Sequence, residues 1–76
     1  MSAANPAPMP ERLWRIRKSH SWMDARLAAD EAGCHVEFFY GATRLCARRF
    51  PTRALAEADA QSTLRDLLRA GWTTHW

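Results

Sequence analysis

The sequence predicts an α+β domain, a three- or four-stranded antiparallel meander packed on one C-terminal helix. Three observations predict it. Apolar and polar residues alternate with period two in successive segments. Gly41-Ala42 separates two of these segments as a tight hairpin turn. Beyond Pro51-Thr52 the spacing lengthens to a helical stripe, Ala56, Ala60, Leu64 and Leu67, before Gly71.

The first ten residues hold Pro6, Pro8 and Pro10, several small side chains and no charge. They offer little to bury and read as a disordered tail. Residues 11–76 then form a single small domain. A domain of this size buries only about 60% of its unfolded surface. The four tryptophans offset that limit, because each can bury on the order of 150–250 Å².

The strands follow in order. Residues 13–18 alternate apolar and basic side chains. In residues 22–29, Met23, Ala25, Leu27 and Ala29 are in phase. In residues 34–40, Cys34, Val36, Phe38 and Tyr40 are in phase, and in residues 43–49 Leu45 and Ala47 are. A two-residue turn at Ser19-His20 sets Ile16 by Met23, Trp14 by Ala25, Arg15 by Asp24 and Arg17 by Trp22. Although that turn lacks Gly or Asn, the register creates an ion pair and an Arg-Trp contact. The turn Asp30-Glu31-Ala32-Gly33 sets Leu27 opposite Val36, Ala25 opposite Phe38 and Arg26 opposite Glu37.

Gly41 occupies the first central position that a type II′ turn favours. That turn pairs Tyr40 with Thr43, Phe38 with Leu45 and Val36 with Ala47 on the apolar face. On the polar face it pairs Phe39 with Arg44, Glu37 with Cys46 and His35 with Arg48. Pro51 ends the strand, and Thr52 is suited to cap the helix. Small alanines let the helix approach the sheet, Gly71 stops it, and Trp72 folds back on Leu67.

Function is less legible. The formal net charge is +3 and the isoelectric point is near 9.5, which suits an acidic partner without demanding one. The first charged residue is Glu11, and no apolar stretch precedes it to suggest a signal peptide. No apolar run approaches the ~18 residues of a membrane span. Cys34 and Cys46 do not make a disulfide framework, and this register puts them on opposite faces. The expected location is the reducing cytoplasm.

Catalytic signals are sparse. Cys46 lies diagonal to His35, as in a thiol-imidazole pair. A flat sheet supplies no deep pocket, however, and a half-exposed cysteine without a role is the better fit. The same two residues fall short of the three or four ligands a metal needs. No phosphate-binding glycine loop is present. The expectation is a non-enzymatic protein without cofactor, metal or small-molecule substrate.

The polar sheet face carries Arg15, Arg17, Arg26, Arg44 and Arg48 against Asp24 and Glu37, with Trp22 and Phe39 among them. Arg49 and Arg53, near the junction of strand and helix, extend this patch. Arg15 and Arg26 are expected to pair with the two acids. Arg17, Arg44 and Arg48 then remain for phosphates, and Trp22 and Phe39 for bases. The same Arg17, Trp22, Arg26, Phe39, Arg44 and Arg48 also suit a protein interface. An exposed edge strand offers a second route to assembly. The residues after Gly71 suit either interface. Two functional readings result: a protein-interaction module or homodimer, and a nucleic-acid-binding regulatory protein for DNA or RNA. The charges also serve simply to solvate a one-sided sheet.

The run Phe50-Pro51-Thr52-Arg53-Ala54-Leu55-Ala56, after an Arg-Arg strand end, resembles a family of small uncharacterised bacterial proteins with a strand meander and a terminal helix. The resemblance covers about residues 22–70 and implies the fold and a bacterial origin. Arg- and Trp-rich strands before a Phe-x-Thr helix start are also similar to three-stranded-sheet-plus-helix DNA-binding domains. These include the plant ethylene-response type and the amino-terminal domains of tyrosine integrases. Such domains lay the sheet into the major groove. That resemblance implies Trp22, Arg26, Arg44 and Arg48 as reading residues. This chain departs from the pattern by placing Asp24 and Glu37 on the same face.

Overall fold

A computed structural model describes residues 10–74. The predicted tail, save Pro10, and the last two residues lie outside that range. The chain forms β1 (Glu11–Lys18), β2 (Ser21–Asp30), β3 (Gly33–Tyr40), β4 (Thr43–Phe50), α1 (Arg53–Arg69) and β5 (Thr73–Thr74). These build an α+β fold in which one antiparallel sheet, ordered β4-β3-β2-β1-β5, packs one face on the helix. The first segment therefore joins the sheet. The fifth strand was not expected. It pairs Thr73 and Thr74 with Arg17 and Ile16, and the Thr73 hydroxyl donates to the Arg17 carbonyl at 3.2 Å.

The first two hairpins hold the predicted registers. Arg15 faces Asp24 and Ile16 faces Met23 across β1 and β2. Leu27 faces Val36 and Arg26 faces Glu37 across β2 and β3. Both Ser19 (φ +54°) and Gly41 (φ +61°) supply a positive φ at the first central turn position. His20 and Ala42 have negative φ, the combination that a type II′ hairpin requires. Glycine takes that conformation freely, whereas serine takes it at a cost.

The third hairpin departs from expectation. Tyr40 faces Thr43 and Phe39 faces Arg44 as predicted, but a bulge follows. Phe38 then faces Cys46, Glu37 faces Ala47, Val36 faces Arg48 and His35 faces Arg49. One extra residue turns every later side chain of β4 to the other face. Leu45, expected against the core, is 55% exposed. A second bulge lies between Arg12 and Trp14 in β1.

The core lies between sheet and helix. Trp14, Ile16, Ala25, Leu27, Cys34, Val36 and Phe38 meet Ala56, Ala60 and Leu64 there. The two buried alanines let the helix backbone come close enough for the Trp14 indole N–H to donate to the Ala60 carbonyl at 2.9 Å. That bond satisfies a polar atom that burial would otherwise leave unpaired.

Both helix ends are capped. The Thr52 hydroxyl accepts from the Leu55 N–H at 3.2 Å. At the other end Trp72 N–H donates to the Leu67 carbonyl and Gly71 N–H to that of Leu68, with Gly71 at φ +103°. This is a Schellman motif, and Trp72 packs on the core beside Leu67. Lys18 Nζ donates to the Ala70 carbonyl at 2.9 Å, placing a cation at the negative end of the helix.

Candidate binding face

The sheet face turned away from the helix follows from strand parity. Since Trp14, Ala25, Val36 and Phe38 point into the core, their neighbours along each strand point outward. Arg17, Trp22, Arg26, Phe39 and Arg44 therefore share the open face, as the sequence predicted.

Arg48 does not. The bulge turns it to the helix side, where Nε lies 3.2 Å from Asp59 and Cζ lies 5.0 Å from the Phe38 ring centroid. The same bulge moves Cys46 to the helix side while His35 stays on the open face, so the thiol-imidazole pair does not form. Cys34 and Cys46 share the helix side instead of opposite faces. They face Phe50 and Phe38 respectively, about 13 Å apart along the sheet, and both thiols are free. Arg53 turns to the helix side as well, pairing with Glu11 and Glu57.

In exchange, Arg49 joins the open face and forms a 2.7 Å ion pair with Asp30. Arg12, which the sequence reading missed, faces Arg26 across β1 and β2. The bulge at Leu13 hid it, because it shifts Arg12 into phase with the open face. Six arginines, Arg12, Arg15, Arg17, Arg26, Arg44 and Arg49, thus meet three carboxylates, Asp24, Asp30 and Glu37. The excess on this one face equals the whole chain's formal net charge of +3.

The face is a connected layer. Asp24, only 3% exposed, accepts from Arg15 Nε at 2.8 Å, from Arg15 Nη2 at 3.1 Å and from Arg26 Nη2 at 3.1 Å. Burial pushes its carboxyl toward the neutral form, but the hydrogen bonds from Arg15 and Arg26 outweigh that and hold it below its ordinary pKa. Arg26 was expected on Glu37. Arg44 takes that acid instead, at 2.9 Å. Rings back the guanidinium groups. Arg26 Cζ lies 4.3 Å from the Phe39 centroid, and those of Arg15 and Arg17 lie 5.7 and 5.4 Å from that of Trp22. Arg17 Nε also donates to the Ser19 carbonyl at 3.0 Å.

Arg12 has no acidic partner among the described residues. Two like charges directly opposite on neighbouring strands repel, and a bound anion would relieve that repulsion. Among the described residues no group of three or more His, Cys, Asp or Glu converges to hold a metal, and no helix is long and apolar enough to cross a membrane.

Comparison with family models, curated proteins and solved structures returns no match. The functional reading rests on the geometry alone.

Proposed function

We propose that this chain is a small, non-enzymatic binding module whose open sheet face takes a polyanionic partner. The observation that carries the reading is the concentration of six arginines against three carboxylates on one sheet face that no other described element covers, with Arg12 and Arg26 directly opposite each other. Such a field attracts a polyanion and orients it before contact. No pocket opens among the described residues, so the partner meets a surface. Two free thiols too far apart to pair suit a reducing, cytoplasmic setting.

The test is binding of a fluorescein-labelled single-stranded oligonucleotide by anisotropy at 50 and 200 mM salt. Three phosphate contacts predict a loss of affinity of about 20-fold between the two concentrations. Arg12→Ala should weaken binding several-fold, and Arg48→Ala should leave it within about twofold. Absence of binding at 50 mM salt would refute the reading.

A second reading, a protein-interaction module or homodimer, draws support from β4. That edge strand is exposed along nearly its whole length, with Leu45 and nearby Tyr40 uncovered. A second copy fits it poorly. Antiparallel self-pairing of Thr43–Phe50 brings arginine against arginine, with no acid in the strand to compensate.

A further inference from the structure

We propose that the partner is a single-stranded nucleic acid, that one of its bases stacks on the outer face of the Arg26 guanidinium, and that Arg12 holds an adjoining phosphate. This rests on the polyanion reading above and names the class of ligand.

Besides Arg26, three of the six open-face arginines commit their hydrogen-bonding edges to acids, and Arg17 gives its Nε to the Ser19 carbonyl. Arg15 spends two donors on Asp24, Arg49 points its two terminal nitrogens at Asp30, and Arg44 pairs with Glu37. Reading base edges in a duplex groove needs free N–H forks, as does gripping a run of carboxylates. A duplex and an acidic peptide are both poorer fits for that reason.

The flat faces are a different matter. Arg26 is held by Asp24 at 3.1 Å and backed by the Phe39 ring at 4.3 Å. Its side chain retains 38% of its exposure while the ring lies against one side of Cζ. The guanidinium is planar and delocalised, and it stacks on π systems in a way that a lysine ammonium does not. Unpaired bases stack on aromatic rings and on guanidinium planes alike. Phe39, Arg26 and a base would form a three-layer stack with the charged plane in the middle. Arg12 lies directly opposite Arg26 on the neighbouring strand and has no acidic partner among the described residues. A backbone phosphate next to the stacked base lies within reach of it.

The experiment compares two fluorescein-labelled probes of equal length and charge, a deoxydodecamer and its abasic counterpart. Each is titrated into the full chain and into Arg26→Lys at 50 mM salt. Base stacking predicts that the full chain binds the base-bearing probe about 10-fold more tightly than the abasic one. Arg26→Lys should hold the abasic probe within about twofold of the full chain and lose the preference for bases. Phe39→Leu keeps the charge and removes the backing ring, so it should lose most of that preference too. Circular dichroism confirms that each variant is folded. If Arg26→Lys does not fold, Phe39→Leu alone decides.

Equal affinity of the full chain for both probes would overturn the stacking proposal and leave the polyanion reading intact. A base preference that survives in the folded variants would overturn the assignment to Arg26. Tighter binding to a duplex of the same length, or to a polyglutamate peptide, would overturn the choice of ligand. Failure to bind either oligomer would remove the polyanion reading itself.

Discussion

Trp14 is the residue on which the fold depends most. It is fully buried, its ring centroid is 6.0 Å from that of Phe38, and its indole N–H bonds to the Ala60 carbonyl. Burying about 150–250 Å² at about 25 cal/mol per Å² contributes roughly 4–6 kcal/mol. Truncation of a buried tryptophan typically costs about 3–5 kcal/mol, because the walls of the hole relax only in part. The whole stability of a domain of about 65 residues is roughly 3–10 kcal/mol. Trp14→Ala should therefore remove about 3–5 kcal/mol, from roughly a third to all of that stability. Trp14→Phe keeps a ring but loses the hydrogen bond and some volume, and should cost about 1–2 kcal/mol. Urea titration followed by far-ultraviolet circular dichroism measures both, since the signal does not depend on the indole removed. A loss below about 1 kcal/mol for Trp14→Ala would refute the reasoning, because it would mean that the helix does not pack over this residue.

Other predictions follow from single positions. Gly33 sits at φ +136°, and an added Cβ would fall 2.6 Å from the Phe50 carbonyl oxygen, so Gly33→Ala should cost about 2 kcal/mol or more in the same titration. Ser19 carries the positive φ of its turn without glycine's freedom, and Ser19→Gly should stabilise the chain by about 0.5–1 kcal/mol, read as a rise in urea midpoint. Asp24 titrates below its ordinary value in the folded chain. Its contribution is therefore complete above the unfolded carboxylate pKa of about 3.9 and is lost as the pH falls through the lower folded value. Thermal melts should show Asp24→Asn flattening the acid limb below about pH 4 relative to the unaltered chain. An unchanged acid limb would mean that the Arg15–Asp24–Arg26 cluster does not couple folding to pH.

The parts of the fold legible in the sequence share a physical reason. From Trp14 through β2 and β3 the alternation has one phase, and each turn is short enough to transmit it. The polar pairs Arg15–Asp24 and Arg26–Glu37 face each other as expected. In β4 the run Leu45-Cys46-Ala47 is apolar at three consecutive positions and defines no phase. The hairpin turn alone was left to set register, and it does not encode the bulge at Leu45. Phe50 was the available clue. It shares parity with Cys46 and Arg48, and it is the one β4 residue that is partly buried. Weighting it would have put Arg48 beside the helix and Arg49 on the open face. Arg12 was obscured by the β1 bulge in the same way. A two-residue strand such as β5 carries no periodicity to read. The partner switch of Arg26 from Glu37 to Asp24 depends on side-chain reach along a strand, which register alone does not specify.

The measurement that tests the account most directly is an NMR titration observing the side-chain Nε–Hε groups of the arginines as the single-stranded dodecamer is added. Unlike backbone amides, these groups report which face of the sheet meets the ligand. Arg12 and Arg26 should shift most, the other open-face arginines should shift less, and Arg48, Arg53, Arg65 and Arg69 should stay in place. Shifts confined to Arg48 and the helix arginines, or no shifts under conditions where the probe is bound, would contradict the proposed binding face.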